Sequence, residues 1–250
     1  MRLESALAAV ALAAVVMALP GCGATVRSTA SRFVTSGDCA HEQALVRRAL
    51  DRSHLRADVN GDGRPDTVAA ASDPGAAKPC RAFVGVRVQG GATYSTHLFP
   101  LAVPVQGLRA RVIGLPHLDS RPGVQVVVDT TAAVDAVLAQ MFTLAGGALR
   151  TVQVPGTHDG TFIVGGGGVI YPRAAACTSD GRMVMSMAAQ TRDGKRYRVT
   201  RRTYEVRGTR LAFVDPQVEQ ATVPVDRLVV RFPEFGMSKH WTACSTPVSG

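Results

Sequence analysis

Lysine occurs only three times, and asparagine and tryptophan once each, in 250 residues of which 5% are aromatic. Scarce aromatics remove the stacking platforms that hold single-stranded nucleic acids, and no basic run is interleaved with the few present, so no nucleic-acid partner is expected. No two cysteines are spaced as CxxC, which argues against a zinc ribbon or a thioredoxin-like site. GxSxG, HExxH and Walker patterns are absent, and Gly165 to Gly168 do not complete GxGxxG, so no linear motif announces a hydrolase or a nucleotide site. The six histidines, at 41, 54, 97, 117, 158 and 240, stand singly; His158, Asp159 and His240 could meet only through the fold. With 25 glycines and 14 prolines, long helices and coiled coils are excluded as well.

What is present is enough for a folded domain: 46% hydrophobic residues against 19% charged. The net charge is +9, carried almost wholly by arginine. Such a surface is drawn towards an anionic membrane or wall polymer within a screening length of about 8–10 Å.

The first residues have the form of an export signal: Arg2, then an apolar run from Ala6 to Leu19 that falls short of the roughly 20 residues a membrane span needs. It ends at Leu19-Pro20-Gly21-Cys22, which resembles the lipobox of bacterial lipoproteins. The resemblance implies removal of residues 1–21 as a lipoprotein signal peptide, lipidation of Cys22 with palmitate-like chains, and a place at the extracytoplasmic face of the cell membrane. Burial contributes about 0.8 kcal/mol per CH₂, so two or more chains make a durable anchor. The plain alternative is secretion with an incidental Cys22. Residues 22–38, rich in small and polar side chains without sustained periodicity, read as a lipid-anchored tether, and 39–250 as the folded domain.

Outside Cys22, four cysteines remain: Cys39, Cys80, Cys177 and Cys244. An even set in an exported chain reads as two disulfides. Three connectivities are possible; Cys39 with Cys80 and Cys177 with Cys244 is favoured because each pair brackets one end of the domain. Trp241, close to Cys244, is expected to pack over a disulfide.

The most informative stretch is Asp58-Val-Asn60-Gly-Asp62-Gly-Arg64-Pro-Asp66. Side-chain oxygens recur at relative positions 1, 3, 5 and 9, and position 7 offers its carbonyl, which is a Ca²⁺ ligand spacing. Ala69 stands where an EF-hand needs a bidentate Glu, and the apolar stretch after Pro65 reads as a strand rather than a helix. The nine residues resemble the DxNxDGxxD loop of FG-GAP and VCBS-type repeats, found in β-propeller blades. The resemblance implies one Ca²⁺ held by the side chains of Asp58, Asn60, Asp62 and Asp66 and the backbone of Arg64.

Degenerate repeats follow at a period of about 60 residues, marked by Arg64-Pro65 against Arg121-Pro122 and by Asp62-Gly63-Arg64 against Asp180-Gly181-Arg182. The units, roughly 56–105, 108–156 and 170–216, each read as loop, strand, strand, tight Gly turn, strand. Val84/Val86/Val88, Val124/Val126/Val128 and Tyr197/Val199 supply the period-2 alternation. On these offsets the ligand positions become Leu115, His117, Asp119, Arg121 and Gly123 in the second unit, and Ala176, Thr178, Asp180, Arg182 and Val184 in the third. One metal site is therefore expected. Leu45, Val46, Leu50 and Leu55 predict one helix within 40–55, with Asp38 as its N-cap, covering an open sheet edge. Thr222 to Val225 and Leu228 to Phe232 read as closing strands.

The expected fold is thus all-β: three blade-like antiparallel repeats, propeller-like or in a compact sheet assembly, with one N-terminal helix. The expected role is binding or structural, in a calcium-stabilised envelope lipoprotein whose partners are the membrane and an envelope protein or wall polymer. The alternative is an envelope hydrolase with a site assembled from several units.

Overall fold

Alternating and continuous apolar runs separated by glycine turns give a fold that is, among the described residues, mainly β-sheet with two α-helices. The computed structural model describes residues 32–99 except 36 and 38, then 110–130, 135–214 and 218–236, together with Trp241 and Cys244. The expected signal segment, Cys22, most of the expected tether, Asp38 and His240 lie outside the described residues.

The first sheet contains β1 (Phe33–Val34), β2 (Arg56–Ala57), β3 (Asp66–Ser72), β4 (Ala82–Arg87) and β5 (Thr93–His97), in the order β1-β5-β4-β3-β2. Phe33 and Val34 were expected in the tether; instead they pair in parallel with Thr93 and Tyr94, so the domain begins earlier than residue 39. The unpaired backbone of the β5 edge captures them.

Helix α1 (Glu42–Arg52) buries Val46 and Leu50 against Ala69 and Phe83. Gly85 makes room for it, since a Cβ there would collide with Val46. The helix therefore covers the face of the first sheet rather than an edge. Leu55 is outside the helix and exposed, and the N-cap is His41, without a side-chain capping bond. With α1 on one face and the second sheet on the other, β4 is buried on both sides, which explains its continuous apolar run.

The second sheet is built from β6 (Arg111–Gly114), β7 (Val126–Asp129), β8 (Ala136–Ala145), β9 (Ala148–Thr151), β10 (Phe162–Gly166), β11 (Arg173–Cys177), β12 (Met183–Gln190), β13 (Arg196–Arg207), β14 (Arg210–Phe213) and β15 (Glu219–Pro224). Its order is β14-β13-β12-β11-β10-β8-β7-β6, with β9 on β8 and β15 on β13. Val126 and Val128 face the first sheet, in a cluster with Val68, Val84, Val86 and Phe142. Val127 faces the opposite way, towards Met141, Met183 and Trp241.

Each predicted unit has its expected element order: β3, β4, the Gly90-Gly91 turn and β5; β7, β8, the Gly146-Gly147 turn and β9; β12, β13, Gly208 and β14. These glycines all adopt positive φ. The units are not separate sheets, however. The first has its own, while β10 and β11 join the second and third into one. Thr222 to Pro224 lie in β15, but Leu228–Arg231 forms α2, a correction to the expected strand. Val225 to Arg227 form a 3-10 turn that feeds straight into it, and Leu228 and Phe232 then fold back onto Tyr197 and Val199. Both disulfides form as favoured, with Cα separations of 5.6 Å for Cys39–Cys80 and 5.9 Å for Cys177–Cys244.

Glu42 is 1% exposed at the start of α1, where the Ser95 hydroxyl donates to its carboxylate at 2.5 Å. Burial pushes its carboxyl up from the usual value, against the opposing pull of the Ser95 bond and of His97 and His41 nearby. The native state therefore holds this proton more tightly than the unfolded chain. The associated stability is fully present below the unfolded value and is lost as pH rises through the folded one. Acidification from neutrality towards the ordinary glutamate range should raise the melting temperature through this group, and Glu42→Gln should flatten that part of the profile. Melting curves across this range check it; an unchanged slope in the variant would assign the effect elsewhere.

Candidate metal centre

The acidic loop joins β2 to β3 as an antiparallel hairpin, so a strand follows it, as its sequence requires. Asp58 is half-buried; Asn60, Asp62 and Arg64 are exposed. Asp58 organises the turn: its Oδ1 accepts from the backbone N–H of Gly61 at 2.6 Å and Asp62 at 3.1 Å, and its Oδ2 from Gly63 at 2.8 Å. Asn60 Oδ1 accepts from Asp62 N–H at 3.0 Å, and Asp62 Oδ1 from Arg64 N–H at 2.9 Å. The Asn60 amide donates to Asp62 Oδ2 at 3.0 Å. These bonds, the Asn60 amide first and the Arg64 N–H second, hold the Asp62 carboxyl below its usual value.

Asp66 differs from these three in its burial. It is fully buried, and its carboxylate accepts from Val59 at 2.9 Å, Asn60 at 3.3 Å and Gln89 at 3.1 Å, all backbone N–H groups. Burial pushes its carboxyl up more than these bonds pull it down, and the Asp62 charge adds to the rise. Asp66 thus latches the loop to the sheet. Among the described residues no three His, Cys, Asp or Glu side chains gather as a metal cluster. The donors the loop offers are the side chains of Asp58, Asn60, Asp62 and Asp66 and the carbonyl of Arg64. They are all oxygen, and each side chain keeps acceptor capacity beyond the bonds named, which suits a hard divalent cation.

The second loop joins β6 to β7 and packs on the first: a Cβ at Gly61 would fall 2.7 Å from Pro122 Cβ, and one at Gly123 2.8 Å from the Val59 carbonyl. Its hydrogen bonds correct the repeat alignment. Leu118 N–H donates to Gln125 Oε1 at 2.7 Å as Val59 N–H donates to Asp66, and Arg121 N–H donates to Asp119 Oδ1 at 3.1 Å as Asp62 N–H donates to Asn60. Gln125 therefore stands for Asp66, Asp119 for Asn60 and Arg121 for Asp62. The equivalence is shifted by two residues from the one that the shared Arg-Pro pair implies, because backbone frame rather than residue identity sets it. Arg121 puts its guanidinium on Asp119 through Nε at 3.0 Å and Nη2 at 2.6 Å. Burial pushes the Asp119 carboxyl up, but the Arg121 bonds outweigh it and leave it below its usual value. An internal cation thus occupies the second loop.

The third loop is different again. Thr178 and Arg182 close a tight turn between β11 and β12, with the Thr178 hydroxyl bonded to Asp180. The same Thr-x-Asp-Gly arrangement recurs at Thr191 to Gly194 between β12 and β13. Its hydrogen bonds match those of that turn, thirteen residues on, rather than those of the acidic loop.

Elsewhere, His41 bonds the Cys80 carbonyl at 3.1 Å and His117 the Arg121 carbonyl at 2.9 Å, so both serve local structure. Sequence reading passed over Ser186 and Glu234, which with Arg201 form a polar knot: Glu234 accepts from the Ser186 hydroxyl at 2.5 Å and from Arg201 Nε at 3.1 Å. These residues lie far apart in the chain and carry no motif. Trp241 packs beside the Cys177–Cys244 bridge and 5.9 Å from the Phe162 ring. No protein-family model, curated protein or solved structure matches this chain, so the likeness of the acidic loop to FG-GAP and VCBS repeats stands on its nine residues alone.

Proposed function

We propose that this is a calcium-stabilised lipoprotein, held by Cys22 at the extracytoplasmic face of the cell membrane, whose β domain binds or braces an envelope protein or wall polymer. The observation that carries the reading is the oxygen set of the first loop, with the side chains of Asp58, Asn60, Asp62 and Asp66 and the Arg64 carbonyl as the ligands of the ion. Contrast with the second loop supports it: where Asp62 is replaced by Arg121, a guanidinium sits in the loop instead. Two disulfides accord with export. The three units are read as diverged copies of one blade-like pattern, supported by their shared element order.

Saturating Ca²⁺ contributes about 2.7 kcal/mol at 100 times its dissociation constant, which raises the melting temperature of a domain this size by about 5–10 °C. Asp62→Ala should abolish the rise, and a wild-type melt indifferent to Ca²⁺ and chelator would reject the ion. In cells, Cys22→Ser should move the protein from the membrane to the soluble fraction; retention of the variant on the membrane would reject the anchor.

A further inference from the structure

On the face of β11, β12 and β13 turned away from α2, two rows run across the strands in register: Arg173, Met187, Thr200 and Ala175, Met185, Arg202. Above them lies a cleft of about 380 Å³, walled by Leu138, Ile163 and the Val154–Thr157 turn. That volume falls within the roughly 300–1,000 Å³ of small-molecule sites, which are typically apolar with a few placed polar groups. We infer that this cleft binds a small organic acid, a carboxylate carried on an apolar body.

Charge supports the assignment first. The lining holds two arginines and neither a carboxylate nor a histidine. Among the described residues neither Arg173 nor Arg202 has an acidic group within ion-pair distance. Arg201, its neighbour in β13 on the opposite face, has both Glu219 and Glu234. The Arg202 guanidinium is steadied 5.6 Å from the Phe213 ring centroid, which leaves its N–H fork available. The second support is an orphan donor. Thr161 Oγ1 in the lining is buried and has no hydrogen-bond partner among the described residues, a condition that is costly when nothing answers it. A carboxylate can accept from a guanidinium or from a hydroxyl, so either kind of donor in the lining can hold it. The third is the floor, where the flexible thioethers of Met185 and Met187 adapt to an apolar chain, Met187 being 43% exposed. The site shares no residue with the acidic loop and does not depend on that loop holding an ion.

Decanoate titrated into the full chain, with methionine methyls observed by NMR and affinity read by calorimetry, tests this. Binding should shift the Met185 and Met187 methyl resonances. Decanamide, equal in length but uncharged, should bind at least tenfold more weakly. Arg173→Gln with Arg202→Gln should weaken decanoate at least tenfold, and since both side chains are exposed the melting curve should not move. Equal binding of acid and amide, unmoved Met185 and Met187 methyls, or undiminished affinity in the double variant would each overturn the assignment, and the amide comparison needs no variant at all.

Discussion

Replacing Cys177 and Cys244 together by alanine should destabilise the domain by about 4 kcal/mol, the loop-closure value for a cross-link of this span. The two are separated by 67 positions in the chain, and the bridge fastens the C-terminal segment to the end of β11. The consequence extends beyond chain entropy. Trp241, 3% exposed, fills the space over Gly114, where a Cβ would collide with it, and packs on Phe162. Without the bridge, the segment carrying Trp241 loses its covalent tie to β11 and keeps weaker ones such as the His117 N–H bond to the Cys244 carbonyl, so the cluster around Val127, Met141 and Met183 is more readily opened to water. Urea unfolding of the double variant measures the loss; a change below about 1 kcal/mol would mean that Trp241 anchors the segment unaided. Removing the Cys39–Cys80 bridge, which spans 41 positions, should cost somewhat less, because the loop it closes is shorter.

Gly123→Ala should cost about 2–4 kcal/mol, far more than a single added methyl ordinarily does. Two effects combine. Gly123 holds φ at +104°, a backbone conformation that L side chains avoid. The new Cβ would also lie 2.8 Å from the Val59 carbonyl and 3.3 Å from the Gly61 nitrogen, both of them backbone atoms that cannot swing aside. Since Val124 N–H donates to the Asp58 carbonyl at 2.8 Å from the next position, displacement would pass directly into the acidic loop. The variant should therefore also weaken Ca²⁺ binding, read by the same melting assay. A comparator is Gly63→Ala, which has positive φ but no atom within 4 Å of the added carbon; it should show the backbone cost alone, about 1–2 kcal/mol. Equal losses in the two variants would remove the loop-on-loop contact from the explanation.

The arginine in the second loop shows why a repeat search alone misplaces equivalent residues. Matching Arg64-Pro65 to Arg121-Pro122 puts Asp119 opposite Asp62, whereas the hydrogen bonds of Leu118 and Gln125 put Arg121 there. Two short motifs can share letters while the backbone between them runs in a different register. Only the N–H groups, each obliged to find an acceptor when buried, fix which positions correspond. The same obligation explains Asp66. As a ninth-position oxygen it is indistinguishable in sequence from the other ligand candidates, and only the fold shows it buried with three backbone donors on it.

Local chemistry made several features legible without a structure. Glycine pairs tolerate positive φ, so the Gly90-Gly91 and Gly146-Gly147 turns follow from the letters. Period-2 valines can only line one side of a strand, and an even cysteine set in an exported chain pairs. Asp58, Asn60 and Asp62 fall on one loop because their spacing leaves them little else to do. Tertiary structure alone decided the rest. It drew Phe33 and Val34 out of the tether onto an open edge, laid α1 on a sheet face, turned Leu228–Arg231 from strand to helix, and merged the second and third units into one sheet. It also left Arg173 and Arg202, on two strands, without an acidic partner among the described residues while pairing Arg201 on the reverse side. These outcomes depend on which surface each apolar or charged group meets. A chain's neighbours in space, unlike its turn residues, are set by the whole packing at once.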